Sequence, residues 1–338
     1  MKPSLAVIFL TLFSGSGFGL AALLALDNDF RISGGFGPLM TAILMVCALA
    51  LVTAGMISST AHLANPKNAW RAFTRWRSSW LSREGVLAVL FYPFAVADLG
   101  WVYFSDKTHS LVVLFLSNTA ALIGLATIFS QGMIYACLRT IRQWHTPLVP
   151  ANFYALGLAV GASILAAARI ATGGPDGAIA SIAVGLLLIA AVLKAIYYFW
   201  IGKPSGTTIQ TATGFNRGTV RLLDQGHTFG TFLTREFSNC VTRAAAYRLR
   251  IAVFVVGFAG PLALLTLNLE HSIGSWAVVA PVLALLGIGV ERFLFFAEAQ
   301  HVVNLYHGRM PASLPKMPEF MRRKAPAATP LVVHYDKG

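Results

Sequence analysis

The sequence predicts an all-α polytopic membrane protein, a bundle of eight transmembrane helices with interfacial amphipathic helices on its cytoplasmic side. Of its 338 residues, 56% are hydrophobic and 12% are charged, whereas soluble domains have roughly 25% charged residues. The mean hydropathy is +0.67. Eight apolar runs are each long enough to cross about 30 Å of hydrocarbon at about 1.5 Å per residue.

The eight predicted spans cover residues 4–26, 38–60, 85–105, 110–137, 151–172, 177–201, 251–269 and 276–297. We expect the first to be a retained span and not a signal peptide, because only Lys2 precedes it and no A-x-A cleavage site follows. The run S-G-S-G-F-G at residues 14–19 lies inside this span without a preceding strand, which indicates close helix packing and not a dinucleotide-binding loop. We predict a transmembrane domain over residues 1–308 and a proline-rich, basic cytoplasmic tail over residues 309–338.

The basic residues indicate how the bundle is oriented. With eight spans, both termini share one side of the membrane with residues 61–84, 138–150 and 202–250. That side carries 21 of the 26 Lys and Arg residues, and the positive-inside rule places such a side in the cytoplasm. We expect a multi-pass protein of the bacterial cytoplasmic (inner) membrane with both termini in the cytoplasm. The net charge of +13 reflects this topology, and no nucleic acid partner is expected because no compact basic domain is present.

The cysteines and histidines bear on metal cofactors. Cys47, Cys137 and Cys240 have no C-x-x-C spacing and cannot hold an iron–sulfur cluster or a structural zinc ion, so no metal site is expected. A bis-histidine heme b needs two histidines that face each other inside the bundle. The eight histidines lie at span ends, in connections or in the tail, so heme is not expected; only a pair near the inner surface, such as His62 and His301, leaves that possibility open.

The most informative segment is a polar belt, residues 60–85, between the second and third spans. Its tryptophans and arginines are Trp70, Arg71, Arg75, Trp76, Arg77, Trp80 and Arg83. This composition favours a helix in the membrane–water boundary, where aromatic rings lie at headgroup depth and guanidinium groups reach phosphates. His62 opens the belt and Glu84 closes it. Two side chains that can exchange protons therefore meet at the edge of the lipid phase.

His62 and Glu84 are candidates for the chemistry of a lipid-soluble quinone. Quinone chemistry moves protons together with electrons; a histidine can donate a hydrogen bond to the quinone oxygen, and a carboxylate can relay the proton. Arg77 and Trp80 are candidate walls of the same pocket. The alternative is structural: His62 caps the second span, Glu84 interacts with the helix dipole at the start of the third, and the aromatic residues anchor the belt.

The end of the last span contains a second set of ionisable residues, in E-R-F-L-F-F-A-E-A-Q-H at residues 291–301. An ionisable group at the centre of a span costs roughly 2.5–3.5 kcal/mol on insertion, so Glu291 and Arg292 should not face lipid. Glu298 lies two turns beyond Glu291 on the same face, and His301 follows three residues later. A packing salt bridge, which we favour for Arg292, competes with a proton path from a quinone site, for which Glu298 and His301 are candidate residues.

Three further features predict local structure. Apolar residues at helical spacing over residues 229–250 predict a second amphipathic cytoplasmic helix that leads into the seventh span. Asp98 in the third span is expected to be a helix-end carboxylate near the outer surface. Asn118 and Gln131 in the fourth span are expected to make interhelical hydrogen bonds.

Two stretches, S-S-T-A-H-L-A-N-P-K-N-A-W-R-A-F (residues 58–73) and R-S-S-W-L-S-R-E-G (residues 77–85), resemble the DMSO reductase anchor subunit family, and the likeness extends over essentially all eight spans. The resemblance implies the membrane subunit of a three-part enzyme, whose other members are a molybdopterin catalytic subunit and a subunit with iron–sulfur clusters. Family members exchange electrons with quinone or quinol and typically lack heme. By motif, the quinol-linked histidine of the family matches His62 and its acidic partner matches Glu84. The complete belt is more similar to the sulfite dehydrogenase branch than to the enteric DMSO reductases.

We therefore expect a quinone-reactive anchor subunit that has no turnover alone and docks an iron–sulfur subunit on its basic cytoplasmic face. Its redox partner in the membrane would be menaquinone or ubiquinone, and the molybdopterin and the iron–sulfur clusters would lie only in partner subunits. Two other interpretations stay open: a secondary transporter that uses Glu291, Arg292 and Glu298 as coupling charges, and a redox-inert tether. The lack of a strong internal repeat weighs against the transporter.

Overall fold

The computed structural model of the chain describes residues 3–32, 34–61, 66–174, 177–202, 208–214, 220, 241–271 and 274–307. In this part of the chain, eight helices are long and apolar enough to cross a membrane: α1 (Leu5–Phe30), α2 (Pro38–Thr60), α3 (Trp80–Ser105), α4 (Leu111–Ala136), α5 (Leu148–Ala171), α6 (Gly177–Gly202), α7 (Arg243–Glu270) and α8 (Trp276–Ala297). No strand occurs within the described residues. The predicted all-α class and the eight spans are confirmed.

Two spans begin several residues before the apolar runs that predicted them. Helix α3 begins at Trp80 and not at residue 85, and α7 begins at Arg243 and not at residue 251. A polar side chain caps each start: Ser79 Oγ accepts from the backbone N–H of Ser82 at 3.4 Å, and Thr242 Oγ1 accepts from that of Ala245 at 3.2 Å. Hydropathy alone cannot detect these turns, because the charged residues within them lower the mean hydropathy although the backbone is helical.

Helices α1 and α5 lie at the centre of the bundle. In their most apolar 18-residue windows, 83% and 67% of the residues are buried, whereas the value for α3 is 28%. The two central helices approach closely because glycines face each other. A Cβ atom added to Gly19 would lie 2.2 Å from the carbonyl oxygen of Gly157. The expectation that residues 14–19 mark close packing is therefore confirmed.

Two spans contain a π turn, Leu10–Ser14 in α1 and Val253–Ala259 in α7. A π turn inserts one extra residue into a helical turn, which re-aims the neighbouring side chains, and such turns are frequent at functional sites. The turn in α1 ends at Ser14, a fully buried residue whose Oγ atom donates a hydrogen bond to the carbonyl oxygen of Leu10 at 2.6 Å. The extra residue thus fixes the direction of a polar side chain inside the bundle.

The belt between α2 and α3 is described from residue 66, and Pro66–Arg75 form a 3₁₀-helix. Arg83 connects the belt to α3, because its guanidinium group donates to the carbonyl oxygens of Trp76 (3.0 Å) and Arg77 (2.7 Å) and lies 4.1 Å from the ring centroid of Trp80. We call the end of the bundle that carries the belt the basic end. The position of the belt at a membrane boundary stays a prediction.

Two predicted cytoplasmic segments fall wholly or partly outside the described residues. The amphipathic helix predicted over residues 229–250 is described only from residue 241, and this part forms the start of α7 and leads directly into the seventh span. The proline-rich tail predicted over residues 309–338 lies outside the described residues.

Candidate functional site

Glu84 lies in the second turn of α3 and faces the interior of the bundle. From Glu84 onward, the buried positions of α3 recur every three or four residues: Glu84, Ala88, Phe91, Ala95, Asp98 and Val102. This spacing defines one helix face, which packs against α4. The Ser79 cap sets the start of the helix and thereby the direction of that face. Although Glu84 follows a polar belt, it is only 3% exposed.

Gln131 of α4 holds the carboxyl group of Glu84. Its Nε2 atom donates to Glu84 Oε1 at 2.9 Å and to Ser14 Oγ at 2.7 Å. Three helices, α1, α3 and α4, therefore meet at one amide group, and the π turn of α1 supplies the serine. The Oε1 atom of Gln131 is buried and has no hydrogen-bond partner among the described residues. The expectation that Gln131 makes interhelical hydrogen bonds is confirmed.

Aromatic and basic side chains lie around the first turn of α3. The indole of Trp80 is half-buried and packs edge-on against Phe129 of α4, with 5.7 Å between ring centroids. Arg77 is exposed in the belt, where its guanidinium group lies 5.7 Å from the ring centroid of Trp76. The structure thus brings Glu84 and Trp80 into one helical turn and places Arg77 just before it. His62 lies outside the described residues.

The ionisable residues of α8 form a buried ion cluster. Lys194 Nζ of α6 donates to Glu291 Oε1, and Arg292 Nε donates to Glu291 Oε2 at 2.5 Å. The guanidinium group of Arg292 also lies 4.1 Å from the ring centroid of Phe153. Glu291 and Arg292 therefore do not face lipid, and the predicted packing salt bridge is confirmed. Lys194 was not recognised from the sequence as its third member, although a lone lysine inside a span requires a buried partner.

Glu298 and His301 follow α8 and have different partners. Glu298 Oε1 accepts from Arg250 of α7 at 2.7 and 3.1 Å, and burial raises the pKa of Glu298 while Arg250 acts in the opposite direction. His301 Nδ1 accepts from the backbone N–H of Val303 at 3.1 Å, and burial lowers the pKa of His301. These hydrogen bonds run to α7 and to the segment after α8, whereas those of Glu84 run to α4. A role for Glu298 and His301 in quinone binding stays a prediction.

Asp98 differs from the expectation of a helix-end carboxylate. It is fully buried, seven residues before the end of α3, and neither carboxylate oxygen has a hydrogen-bond partner among the described residues. The expectation was wrong because Asp98 lies on the buried face of α3, with Ala95 and Val102, and not at the end of the helix. The expected interhelical bond of Asn118 is confirmed, because its Nδ2 atom donates to Asp29 Oδ2 of α1 at 2.7 Å.

The structure has a large apolar groove and a small internal cavity, and Glu84 lines neither. The groove, of 490 Å³, lies between α2 and α3 towards the end of the bundle opposite the basic end, and its lining includes Leu39, Ile43, Val96, Leu99 and Phe104. The small cavity lies between α1, α5 and α8 beside Arg292. Among the described residues, no cluster of three or more His, Cys, Asp or Glu side chains could hold a metal ion.

Comparisons with known proteins give the family. The model of the DMSO reductase anchor subunit (DmsC) family matches residues 1–297. Over 328 residues, the chain is also 33% identical to a subunit of the sulfite dehydrogenase of Allochromatium vinosum, and the match covers 91% of this chain and 99% of that protein. Anchor subunits of this family work with the catalytic and iron–sulfur subunits of an oxidoreductase. With eight helices among its described residues that are long and apolar enough to span a membrane, the chain belongs to the DMSO reductase anchor subunit family and is a multi-pass membrane anchor subunit of an oxidoreductase.

Proposed function

We propose that this chain is the quinone-reactive subunit of a three-subunit molybdopterin oxidoreductase and passes electrons between an iron–sulfur subunit and the quinone pool. The observation that carries the proposal is the buried carboxyl group of Glu84, which a neutral amide holds at the basic end of the bundle. A carboxyl group with a neutral partner can gain or lose a proton without leaving a buried cation unpaired. Quinone chemistry requires such a group.

Each residue of the site has a role in the proposed reaction. Reduction of a quinone takes up two electrons from the iron–sulfur subunit and two protons from water, and quinol oxidation releases them again. Glu84 exchanges a proton with the bound quinone, and Gln131 fixes the direction of its carboxyl group. Trp80 and Phe129 supply apolar ring surface beside it. His62, by its match to the family motif, donates a hydrogen bond to a quinone oxygen.

Similarity and charge support a more specific assignment. The relative with 33% identity is named as a sulfite dehydrogenase subunit, which favours a complex that oxidises sulfite and reduces quinone, either ubiquinone or menaquinone. The concentration of Lys and Arg on one side supports insertion in the bacterial inner membrane with the basic end in the cytoplasm. The catalytic and iron–sulfur subunits would then bind on the cytoplasmic side.

The test is Glu84→Gln in the assembled complex, with Asp98→Asn as the matched control on the same helix face. Gln keeps the size of the side chain but cannot transfer a proton, so we expect the quinone-coupled rate to fall by about 10²-fold or more. The rate with a soluble dye that takes electrons directly from the partner subunits should not change. Asp98→Asn should leave both rates unchanged.

Two outcomes would overturn the proposal. Unaltered quinone-coupled turnover in Glu84→Gln would remove the assigned role of Glu84, and a complex that never reduces or oxidises quinone would make the chain a redox-inert tether. The transporter interpretation has less support, because Glu291 is bound to both Lys194 and Arg292 inside the bundle. Substrate uptake by the isolated chain in vesicles would support the transporter interpretation.

A further inference from the structure

Two segments at the basic end are bound to each other, and we call the pair the platform: residues 138–145, between α4 and α5, and residues 299–304, after α8. An isolated β-bridge joins Ile141 to His301. The following hydrogen bonds connect the two segments or fix the first segment to α8: Val302 N to Thr140 O (3.1 Å), Gln300 N to Gln143 Oε1 (3.2 Å) and Trp144 Nε1 to Phe295 O (3.0 Å). The platform is therefore fixed to the bundle at several points.

A cluster of aromatic rings lies directly beneath the platform. Its members are Tyr135, Trp144, Phe153, Phe295 and Phe296, with ring centroids 5.1–5.9 Å apart. Trp144 belongs to the platform and is buried against the cluster. Tyr135 belongs to α4 and lies one helical turn beyond Gln131, the residue that holds Glu84. The ring of Tyr135 therefore joins the platform, through Trp144, to the turn of α4 that follows Gln131.

The outer surface of the platform is exposed and basic. Leu138, Arg139, Thr140 and His145 are exposed at the basic end. Arg142 is half-buried with its guanidinium group 5.0 Å from the ring centroid of Trp200, and burial lowers its pKa. Neither platform segment contains an Asp or Glu residue. This surface fits a partner with a neutral or acidic face.

We propose that the platform is the surface on which the iron–sulfur subunit docks, with residues 138–140 at the contact. The identity of this partner follows from the family, and the purpose of the contact, electron transfer to a site at Glu84, rests on the proposed function. Electron transfer needs a donor held at a constant, short distance. The platform can hold the donor in a constant position because it is fixed to α8 and directly follows α4, the helix whose Gln131 holds Glu84.

Among the described residues, the belt is a second exposed surface at the basic end, and its side chains suit a contact with lipid. Trp70 and Trp76 are 59% and 53% exposed there, and the described part of the belt packs mainly on α3, the span with the smallest buried fraction. Exposed indole and guanidinium groups beside a lipid-facing helix suit the headgroup layer. The platform instead lies beside α5, one of the two central helices. We therefore assign the contact with the iron–sulfur subunit to the platform, beside the central helix α5, and the contact with lipid to the described part of the belt.

The first experiment compares the two surfaces by site-specific photo-crosslinking in the intact complex in native membranes. A photoreactive phenylalanine analogue replaces Leu138, Thr140 or, as the control in the belt, Phe73, which is 45% exposed. We expect covalent adducts with the iron–sulfur subunit from positions 138 and 140 and adducts with lipid alone from position 73. Adducts with the iron–sulfur subunit from position 73 alone, or adducts of position 138 with lipid only, would overturn the proposal.

The second experiment reverses one charge. Arg139→Glu should lower the amount of iron–sulfur subunit that co-purifies with the anchor by roughly three- to tenfold, because it places a negative charge against an acidic or neutral face. The matched variant Arg75→Glu in the belt should leave co-purification unchanged. Equal losses from both variants, or a loss from Arg75→Glu alone, would contradict docking on the platform.

These experiments fail independently of the quinone proposal. Crosslinking and co-purification do not require quinone turnover, so Glu84→Gln should keep the adducts from position 138 even when turnover is lost. If Glu84→Gln retains turnover while those adducts persist, docking on the platform is supported and the proposed role of Glu84 is contradicted. If the adducts come from the belt alone while Glu84→Gln loses turnover, the proposed role of Glu84 is supported and docking on the platform is contradicted.

Discussion

Two glutamates lie buried near the basic end of the bundle, Glu84 in α3 and Glu291 in α8, and the charges of their partners differ. Glu291 binds two cations, Lys194 and Arg292, and all three side chains are at most 2% exposed. Glu84 is bound by the neutral amide of Gln131, and no ion pair to Glu84 occurs among the described residues. Burial alone therefore does not distinguish the two sites. The charges of the hydrogen-bond partners distinguish them.

The difference separates a structural carboxylate from one that can take part in chemistry. A carboxylate that compensates two buried cations has to stay ionised, because its neutralisation would leave both cations without a partner in a medium of low dielectric constant. A carboxyl group that accepts a hydrogen bond from an amide keeps that bond in either protonation state. The cluster around Glu291 thus joins α6 to α8, whereas the group around Glu84 can exchange a proton.

The largest expected effect is on stability, from removal of the carboxylate at the ion cluster. Glu291→Gln leaves Lys194 and Arg292 buried without a counter-charge, which should cost about 3–5 kcal/mol of unfolding free energy. Glu84→Gln keeps both shape and a polar group beside Gln131 and should cost about 1 kcal/mol. Thermal unfolding of the two variants in detergent measures the difference. Equal melting temperatures would remove the distinction between the two glutamates.

The next effect is on turnover, from the residue that positions Glu84. Gln131→Leu removes the hydrogen bonds to Glu84 and Ser14 but not the carboxyl group, so the quinone-coupled rate should fall by about tenfold, less than in Glu84→Gln. The pH profile of that rate should also shift, which simple loss of packing would not cause. Gln131→Glu, which can still share a proton with Glu84, should recover part of the rate. A rate in Gln131→Leu equal to that of the unaltered complex would show that Gln131 does not position Glu84.

Asp98, on the same buried face of α3 as Glu84, is a third buried carboxyl group that can be compared with the two glutamates. Asp98 has neither a cation nor an amide partner among the described residues. Replacement of a buried polar group that makes no hydrogen bond by an apolar one of similar size is nearly neutral or stabilising. Asp98→Leu should therefore change the unfolding free energy by less than about 1 kcal/mol, whereas Glu84→Leu should lower it by about 1–3 kcal/mol, because one of the two N–H donors of the Gln131 amide loses its acceptor. A large loss in Asp98→Leu would indicate a partner beyond the described residues.

Sequence patterns predicted the features that depend on one helix alone. The eight spans follow from run length, the close packing of α1 against another helix follows from the glycines of residues 14–19, and the burial of Glu291 follows from the cost of a charge in lipid. Glu84 was selected because it ends a belt of tryptophan and arginine. All of these are local signals that do not require knowledge of which helices are neighbours.

Pairings between distant helices could not be predicted in this way. The contact of Lys194 with Glu291 joins residues 97 positions apart, and the contact of Gln131 with Glu84 joins residues 47 apart. Helix periodicity defines a buried face but not which helix packs against it. The platform was missed for the same reason, because residues 138–145 read as a short connection until the chain after α8 is placed beside them.

The smallest expected effect is a pH dependence of the platform. Burial lowers the pKa of His301, and its Nδ1 atom accepts a hydrogen bond only when unprotonated. Above the unfolded value of about 6.5 both states are neutral and the stabilisation is complete. As the pH falls below that value, the unfolded chain binds a proton that the folded chain does not, so the platform should loosen towards about pH 5.5. Hydrogen exchange of the amides of residues 301–304, corrected for the intrinsic rate, should therefore be faster at about pH 5.5 than at about pH 7.5. The control is His301→Gln, which cannot bind a proton at this position. In this variant the difference in exchange rate between the two pH values should shrink, and what is left should come from the titration of Glu298. A difference as large as in the unaltered chain would assign the whole pH dependence to Glu298 and Arg250.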